Sequence, residues 1–231
     1  MAQNVQDFTV LGGSGALSEQ RNRVLRNTYW LLALSMLPTV LGAWVGLATG
    51  VAHLMSPGMS MIVFLVGAYG LMFGIEKTKN SAAGVPMLLG FTFFMGLMLA
   101  RMLGVVLGFK NGGDLIMMAF AGTGAIFLGM ASLTSVIKRD LSSMGKFLFI
   151  GVILLVVAGI ANLFIQSSAL MITLSVIAIG IFSAFILHDL KRVQTGEETN
   201  YITATLGVYL SLYNVFVNLL ALLGIFGGQR D

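Results

Sequence analysis

A histidine and an aspartate close one long apolar run, in "FILHDLKRVQTGEETNY" at residues 185–201. Imidazole and carboxylate groups can exchange protons, and a carboxylate can also hold a cation. Two interpretations of Asp189 stay open. It is either an interfacial acid paired with Lys191 and Arg192, or an acid that reaches into the protein interior and takes a proton or a cation there. Spacing alone favours the pairing, and a single interfacial histidine such as His188 is typically solvated.

The last apolar run carries a second set of candidate residues. Small or polar members of this run are offset by 4, 7 and 11 residues, so they share one helical face: Gly207, Ser211, Asn214 and Asn218. Tyr209 and Tyr213 lie to one side of this face. Amides are costly against lipid tails, so the face is expected to turn toward other helices. It predicts either hydrogen bonds between helices or a water-filled conduction path.

Arg101 is the one charged residue well inside an apolar run. A charge at such a position is by default a candidate functional group. Arg101 lies only about two turns from the end of its run, however, and a long arginine side chain can reach the membrane surface from there.

Composition identifies the elements that must position these residues. Of 231 residues, 57% are hydrophobic and 10% are charged, against about 25% charged in a soluble domain. About 20 apolar residues cross a membrane as a helix. Seven runs approach or exceed that length: residues 28–49, 59–75, 85–108, 115–137, 147–165, 169–187 and 202–226. The chain is therefore predicted to be an all-α integral membrane protein with seven spans, in which the polar-faced last helix is central.

The placement of lysine and arginine predicts the orientation. If the N-terminus is cytoplasmic, ten of the 13 Lys and Arg residues face the cytoplasm, Lys110 and Arg230 face the other side, and Arg101 is within a span. This is a strong positive-inside bias, and it argues against nucleic acid as the partner of the basic residues. The predicted organisation is a flexible cytoplasmic tail at 1–26, a membrane domain at 27–226 and a short extracytoplasmic C-terminus at 227–231.

Glycines at four-residue spacing occur in the first three spans: Gly42, Gly46 and Gly50; Gly70 and Gly74; Gly104 and Gly108. In lipid, this spacing makes a smooth face on which another helix can pack closely. The pattern leaves open whether the partner helix belongs to the same chain.

Signals for an enzyme are weak. "GGSG" at residues 12–15 resembles a serine-protease motif, but it lies in the predicted tail with no histidine on a neighbouring span. The sequence has no H-E-x-x-H, no cysteine and no pair of aspartates within spans. We therefore expect no catalytic activity, no cofactor and no metal.

Three stretches resemble the Bax-inhibitor-1 family: "RNTYWLLALS", "GAYGLMFG" and "GEETNYITATLGVYLSLYNVFVNLLALLG". The similarity is closest to its bacterial YccA-like branch, the modulators of the FtsH protease. It implies a seven-helix fold with the last helix wrapped by the others, a cytoplasmic N-terminus and an extracytoplasmic C-terminus. For this branch it also implies binding to FtsH and its scaffold proteins in the inner membrane.

Many members of the family carry two acids, associated with a pH-sensitive calcium leak. By the same resemblance, the first acid falls on Asp189 and the second on Ser211, which has no charge. A hydroxyl cannot share a proton as a second carboxylate would, and it is a poorer calcium ligand. The resemblance therefore favours a protease modulator, with an ion leak through Asp189 as the alternative.

Overall fold

The computed structural model describes residues 3–54 and 56–229. These residues form helices and connecting turns, with no strand in the described ranges. The helices are α1 Gln3–Thr49, α2 Val51–Leu54, α3 Pro57–Thr78, α4 Gly84–Leu107, α5 Gly112–Val136, α6 Met144–Ile165, α7 Ser168–Thr195 and α8 Tyr201–Gly227. All except the four-residue α2 are long and apolar enough to cross a membrane, which confirms the seven predicted spans.

Helix α8 is the centre of the bundle, as predicted. It packs against α1, α3, α4, α5 and α7. Helix α6 instead packs on α7 and has no buried residue, so it forms the periphery. The main hydrophobic core lies around α8 and includes Phe91 of α4, Ile186 of α7 and Val208 of α8, each fully buried.

Helix α7 is longer than the predicted span at 169–187. It continues to Thr195 and stops at Gly196, whose φ of 84° is a left-handed conformation suited to glycine. The apolar pattern indicates where the membrane ends, but no helix-breaking residue occurs before Gly196. Asp189 is therefore inside a helix and not in a loop.

Helix α1 includes most of the stretch predicted as a flexible cytoplasmic tail at residues 1–26, whose flexibility stays a prediction. The helix begins at Gln3 and runs without a break into the first span. Val24 is 8% exposed and packs against Val193 and Ala204. This contact is between distant parts of the chain, so composition alone could not reveal it. Two of the predicted C-terminal residues, Arg230 and Asp231, lie outside the described residues.

Glycines allow α1 and α4 to touch backbone to backbone. A Cβ at Gly96 would overlap the backbone oxygen of Thr39, and one at Gly42 would overlap that of Phe93. The predicted packing role of Gly42 is thus realised within the chain. Gly70, by contrast, has open space around the position of a Cβ.

The loops that carry most of the cations meet at one end of the bundle. The Asn200 side chain donates to the Lys79 backbone oxygen at 3.1 Å, which joins the start of α8 to the end of α3. At the opposite end, the Asn111 side chain donates to the Gly227 oxygen at 2.7 Å. The predicted clustering of charge therefore corresponds to one physical face of the protein.

Candidate functional site at the end of helix α7

Asp189 points from α7 toward α8. Its side chain is 17% exposed, and its carboxylate lies against Gly207. A Cβ built on Gly207 would be 2.8 Å from Asp189 Oδ2. Glycine at this position of the polar face therefore makes room for the carboxylate, and a larger residue would displace it.

His188 is buried, which corrects the expectation of a solvated histidine. Its Nδ1 lies 3.2 Å from Asp189 Oδ1. The ring also stacks edge-on against Phe185, with 6.3 Å between centroids. On its other side it faces the start of α6, where a Cβ on Gly145 would be 2.8 Å from Nε2. The imidazole thus fills the space between α7 and α6.

Spacing favoured Lys191 and Arg192 as partners of Asp189, but both cations bind other groups. Lys191 Nζ donates to the backbone oxygens of Thr134 at 3.2 Å and Ile137 at 2.6 Å, at the end of α5. Arg192 Nε lies 3.9 Å from Glu197 Oε2. Lys191 suits its place, because the last carbonyls of a helix lack partners within it and carry partial negative charge.

The last two turns of α7 therefore contact four helices. His188 faces α6, Asp189 faces α8, Lys191 binds the end of α5, and Val193 packs on α1. A helix that continues beyond the predicted span can display these side chains in different directions. The segment serves as the junction of the bundle at this end.

The polar face of α8 is satisfied mainly by its own backbone. Ser211 Oγ donates to the Gly207 oxygen at 3.1 Å. Asn214 Nδ2 donates to the Leu210 oxygen and Asn218 Nδ2 to the Asn214 oxygen, each at 2.8 Å. The hydroxyl and amide donors of this face therefore bond within α8, and not between helices as predicted. Asp189 lies against Gly207, and Ser211 follows one turn later along α8.

Two tyrosines of α8 make hydrogen bonds to other helices, which were expected from the polar face. Tyr209 Oη lies 2.8 Å from Thr39 Oγ1 of α1. Thr39 Oγ1 also donates to the Ser35 oxygen at 2.8 Å, and Tyr209 Oη donates to the Thr92 oxygen of α4 at 3.4 Å. Tyr213 donates to the Met95 oxygen of α4 at 3.4 Å. A tyrosine in the middle of an apolar span was the available signal, because a buried hydroxyl needs a partner.

Arg101 is not part of this site. Its Nη1 donates to Ser60 Oγ at 3.0 Å, near the start of α3. The first residue of α4, Gly84, lies against Ile202 at the start of α8, and Arg101 is about 25 Å further along α4. The arginine therefore joins two helices at the opposite end of the bundle.

The chemistry available at the end of α7 is that of one carboxylate beside one imidazole. Within the described part of the chain, no group of three His, Cys, Asp or Glu side chains gathers as metal ligands. Ser211 places one hydroxyl a turn further along α8 from Gly207.

Seven membrane-length helices, the last of them central and polar-faced, define a multi-pass helical membrane protein. A family model described as "Inhibitor of apoptosis-promoting Bax1" matches residues 21–228. The chain belongs to this Bax-inhibitor-1 family, as the sequence motifs indicated.

Several bacterial relatives match most of the chain. It is 39% identical over 210 residues to the Modulator of FtsH protease YccA of Escherichia coli K12, covering 91% of this chain and 92% of the relative. The same figures hold for the Inner membrane protein YccA of Escherichia coli O6:H1. A membrane protein of Vibrio cholerae is 37% identical over 206 residues, covering 89% of this chain and 91% of that protein.

Proposed function

We propose that this chain is a non-enzymatic, multi-pass protein of the bacterial inner membrane that binds and modulates an FtsH-type membrane protease. The observation that carries the proposal is the 39% identity to the modulator of FtsH protease of Escherichia coli, which extends over nearly the full length of both chains. The similarity includes the whole membrane bundle.

The proposed orientation places the N-terminus in the cytoplasm. The cation-bearing loops and the start of α1 then lie on the side where an ATP-dependent protease works. The chain is a slowly processed partner that occupies the protease and its scaffold proteins, and this occupancy restrains the degradation of other membrane proteins.

Two measurements test this proposal. The tagged chain, extracted in a mild detergent, should retain an FtsH-type protease through affinity purification. Deleting residues 2–16 spares Val24, which packs on the bundle, and it should lengthen the lifetime of the protein in cells that contain FtsH. Removing residues 230–231 is the matched control, because it trims the opposite end. An unchanged lifetime together with no co-purification rules the proposal out.

A second candidate function is an ion leak gated by Asp189. It is favoured by the position of the carboxylate, which is largely buried against Gly207 on the polar face of α8. Ser211 weighs against it, because the second acid that the family resemblance implies is replaced by a hydroxyl at this position. Purified protein in liposomes should then pass calcium or protons, with a flux that changes in Asp189→Asn. A flux equal to that of empty liposomes eliminates this candidate.

A further inference from the structure

The start of α1 forms a second contact region, separate from the Asp189 site. Helix α1 has 47 residues, a length of about 70 Å, whereas a hydrocarbon core is about 30 Å thick. Its first half therefore extends beyond the hydrocarbon core. We call residues 17–26 of this extension the arm.

The arm lies on the loop between α7 and α8. Val24 is buried against Val193, which is fully buried, and Ala204. Arg21 runs along the loop, with Nη1 3.5 Å from the Gln194 oxygen. Its Cδ would be 3.2 Å from a Cβ on Gly196, so the bare glycine lets the arginine stem approach.

This docking is incomplete. A cleft of about 290 Å³ separates part of the arm from the loop. It is lined by Leu17, Gln20 and Arg21 on one side and by Thr195, Glu198 and Thr199 on the other. Buried Val24, half-buried Leu25 and one long hydrogen bond from Arg21 contribute to the contact, while most other side chains of the arm are exposed. Segments with few buried contacts are those that open locally without unfolding the protein.

The glycine-rich sequence before the arm favours undocking of the arm over its rigid attachment to the bundle. Gly12, Gly13 and Gly15 precede it, and glycine is the poorest helix former after proline. Pulling on this segment would therefore transmit force to the arm at its weak contact with the loop, before reaching the membrane span.

We infer that the arm is a latch. Docked on the α7–α8 loop, it holds the N-terminal segment against the bundle, and undocking is the step that opens this segment to processing by the protease. The inference rests on the proposed function for its consequence in the cell. The docking itself is a property of this chain alone.

The test compares two variants that introduce the same charge. Val24→Asp places a carboxylate against Val193 and Ala204, which undocks the arm. Asn22→Asp adds the same carboxylate at an exposed position of the arm and is the matched control. Amide hydrogen exchange of residues 17–26 is measured in the purified full-length protein in detergent, with no protease present.

Val24→Asp should raise the exchange rate of the arm roughly tenfold, which corresponds to about 1.4 kcal/mol of lost docking. Asn22→Asp should match the unmodified chain. Val24→Ala removes only two methyl groups, so its exchange rate should fall between those of the other two variants. It replaces Val24→Asp in the comparison if the aspartate variant does not fold. Equal exchange in all four proteins would overturn the latch.

The second readout is the lifetime of each variant in cells that contain FtsH. Val24→Asp should be degraded faster than Asn22→Asp. Faster exchange without faster degradation overturns the gating role. Failure of the unmodified chain to bind the protease, by contrast, is a failure of the proposed function, and the exchange measurement still decides the docking.

Discussion

Hydroxyl groups inside the bundle show how single residues hold the helices together. Tyr209 is 2% exposed, and its hydroxyl joins α8 to Thr39 of α1. Because the surroundings are apolar, loss of the Tyr209 hydroxyl would leave Thr39 Oγ1 without its partner on α8. Hydrogen bonds between membrane helices contribute modestly, since the separated helices also find partners in the membrane.

Tyr209→Phe should therefore lower the unfolding free energy by about 0.5–1.5 kcal/mol. Tyr213→Phe removes a longer bond, 3.4 Å to the Met95 oxygen, and should cost less. Reversible unfolding in mixed micelles measures both variants. A larger loss for Tyr213→Phe than for Tyr209→Phe would contradict this assignment.

The sequence identified which residues are candidates, but it predicted only some of their contacts. Asp189 was identified because a carboxylate follows an apolar run, and its position beside Gly207 agrees with the open alternative in which it faces the interior. The pairing with Lys191 was wrong, because the carbonyls that Lys191 binds belong to α5, more than 50 residues earlier in the chain. A pattern along one helix does not contain that information.

At the scale of helices, close packing of α1 on α4 depends on glycine. Two helices can approach until their backbones touch only where no side chain intervenes. Gly42 and Gly96 provide this contact from the two sides. The four-residue spacing in α1 predicted the packing face, whereas the partner helix became known only from the structure.

Gly96→Ala should lower the unfolding free energy by about 2 kcal/mol or more, because the new methyl group overlaps the Thr39 backbone and the helices must separate. Gly90→Ala is the matched control in the same helix, since no atom lies within 4 Å of its Cβ position. It should be neutral or slightly stabilising, because alanine is the better helix former. Equal losses for the two variants would show that the close contact is not needed.

Helix ends were the least predictable elements. Membrane spans were found from apolar length, and that signal stops where polar residues begin. Both α1 and α7 continue past that point, because hydrogen bonding within a helix does not require an apolar sequence and their extensions pack on each other through Val24 and Val193.

For the whole molecule, the distribution of charge between the two ends predicts its orientation in the membrane. The chain has no cysteine, so a single introduced cysteine is its only thiol. Thr199 and Asp114 are both exposed and lie at opposite ends of the bundle. A thiol reagent that cannot cross the membrane should label Asp114→Cys in intact spheroplasts and should label Thr199→Cys only after lysis. The reverse pattern would invert the proposed topology.

The seven-helix fold and its central last helix were predicted from apolar length, the polar face of α8 and the family motifs. Function at this scale depends on the partner, so a reconstituted system gives the most direct measurement. FtsH in proteoliposomes degrades a membrane substrate at a rate that can be followed with and without this chain at equal lipid content. We predict that the chain slows this degradation in proportion to its amount and is itself consumed slowly. An unchanged rate over the full range of added protein would contradict its role as a modulator.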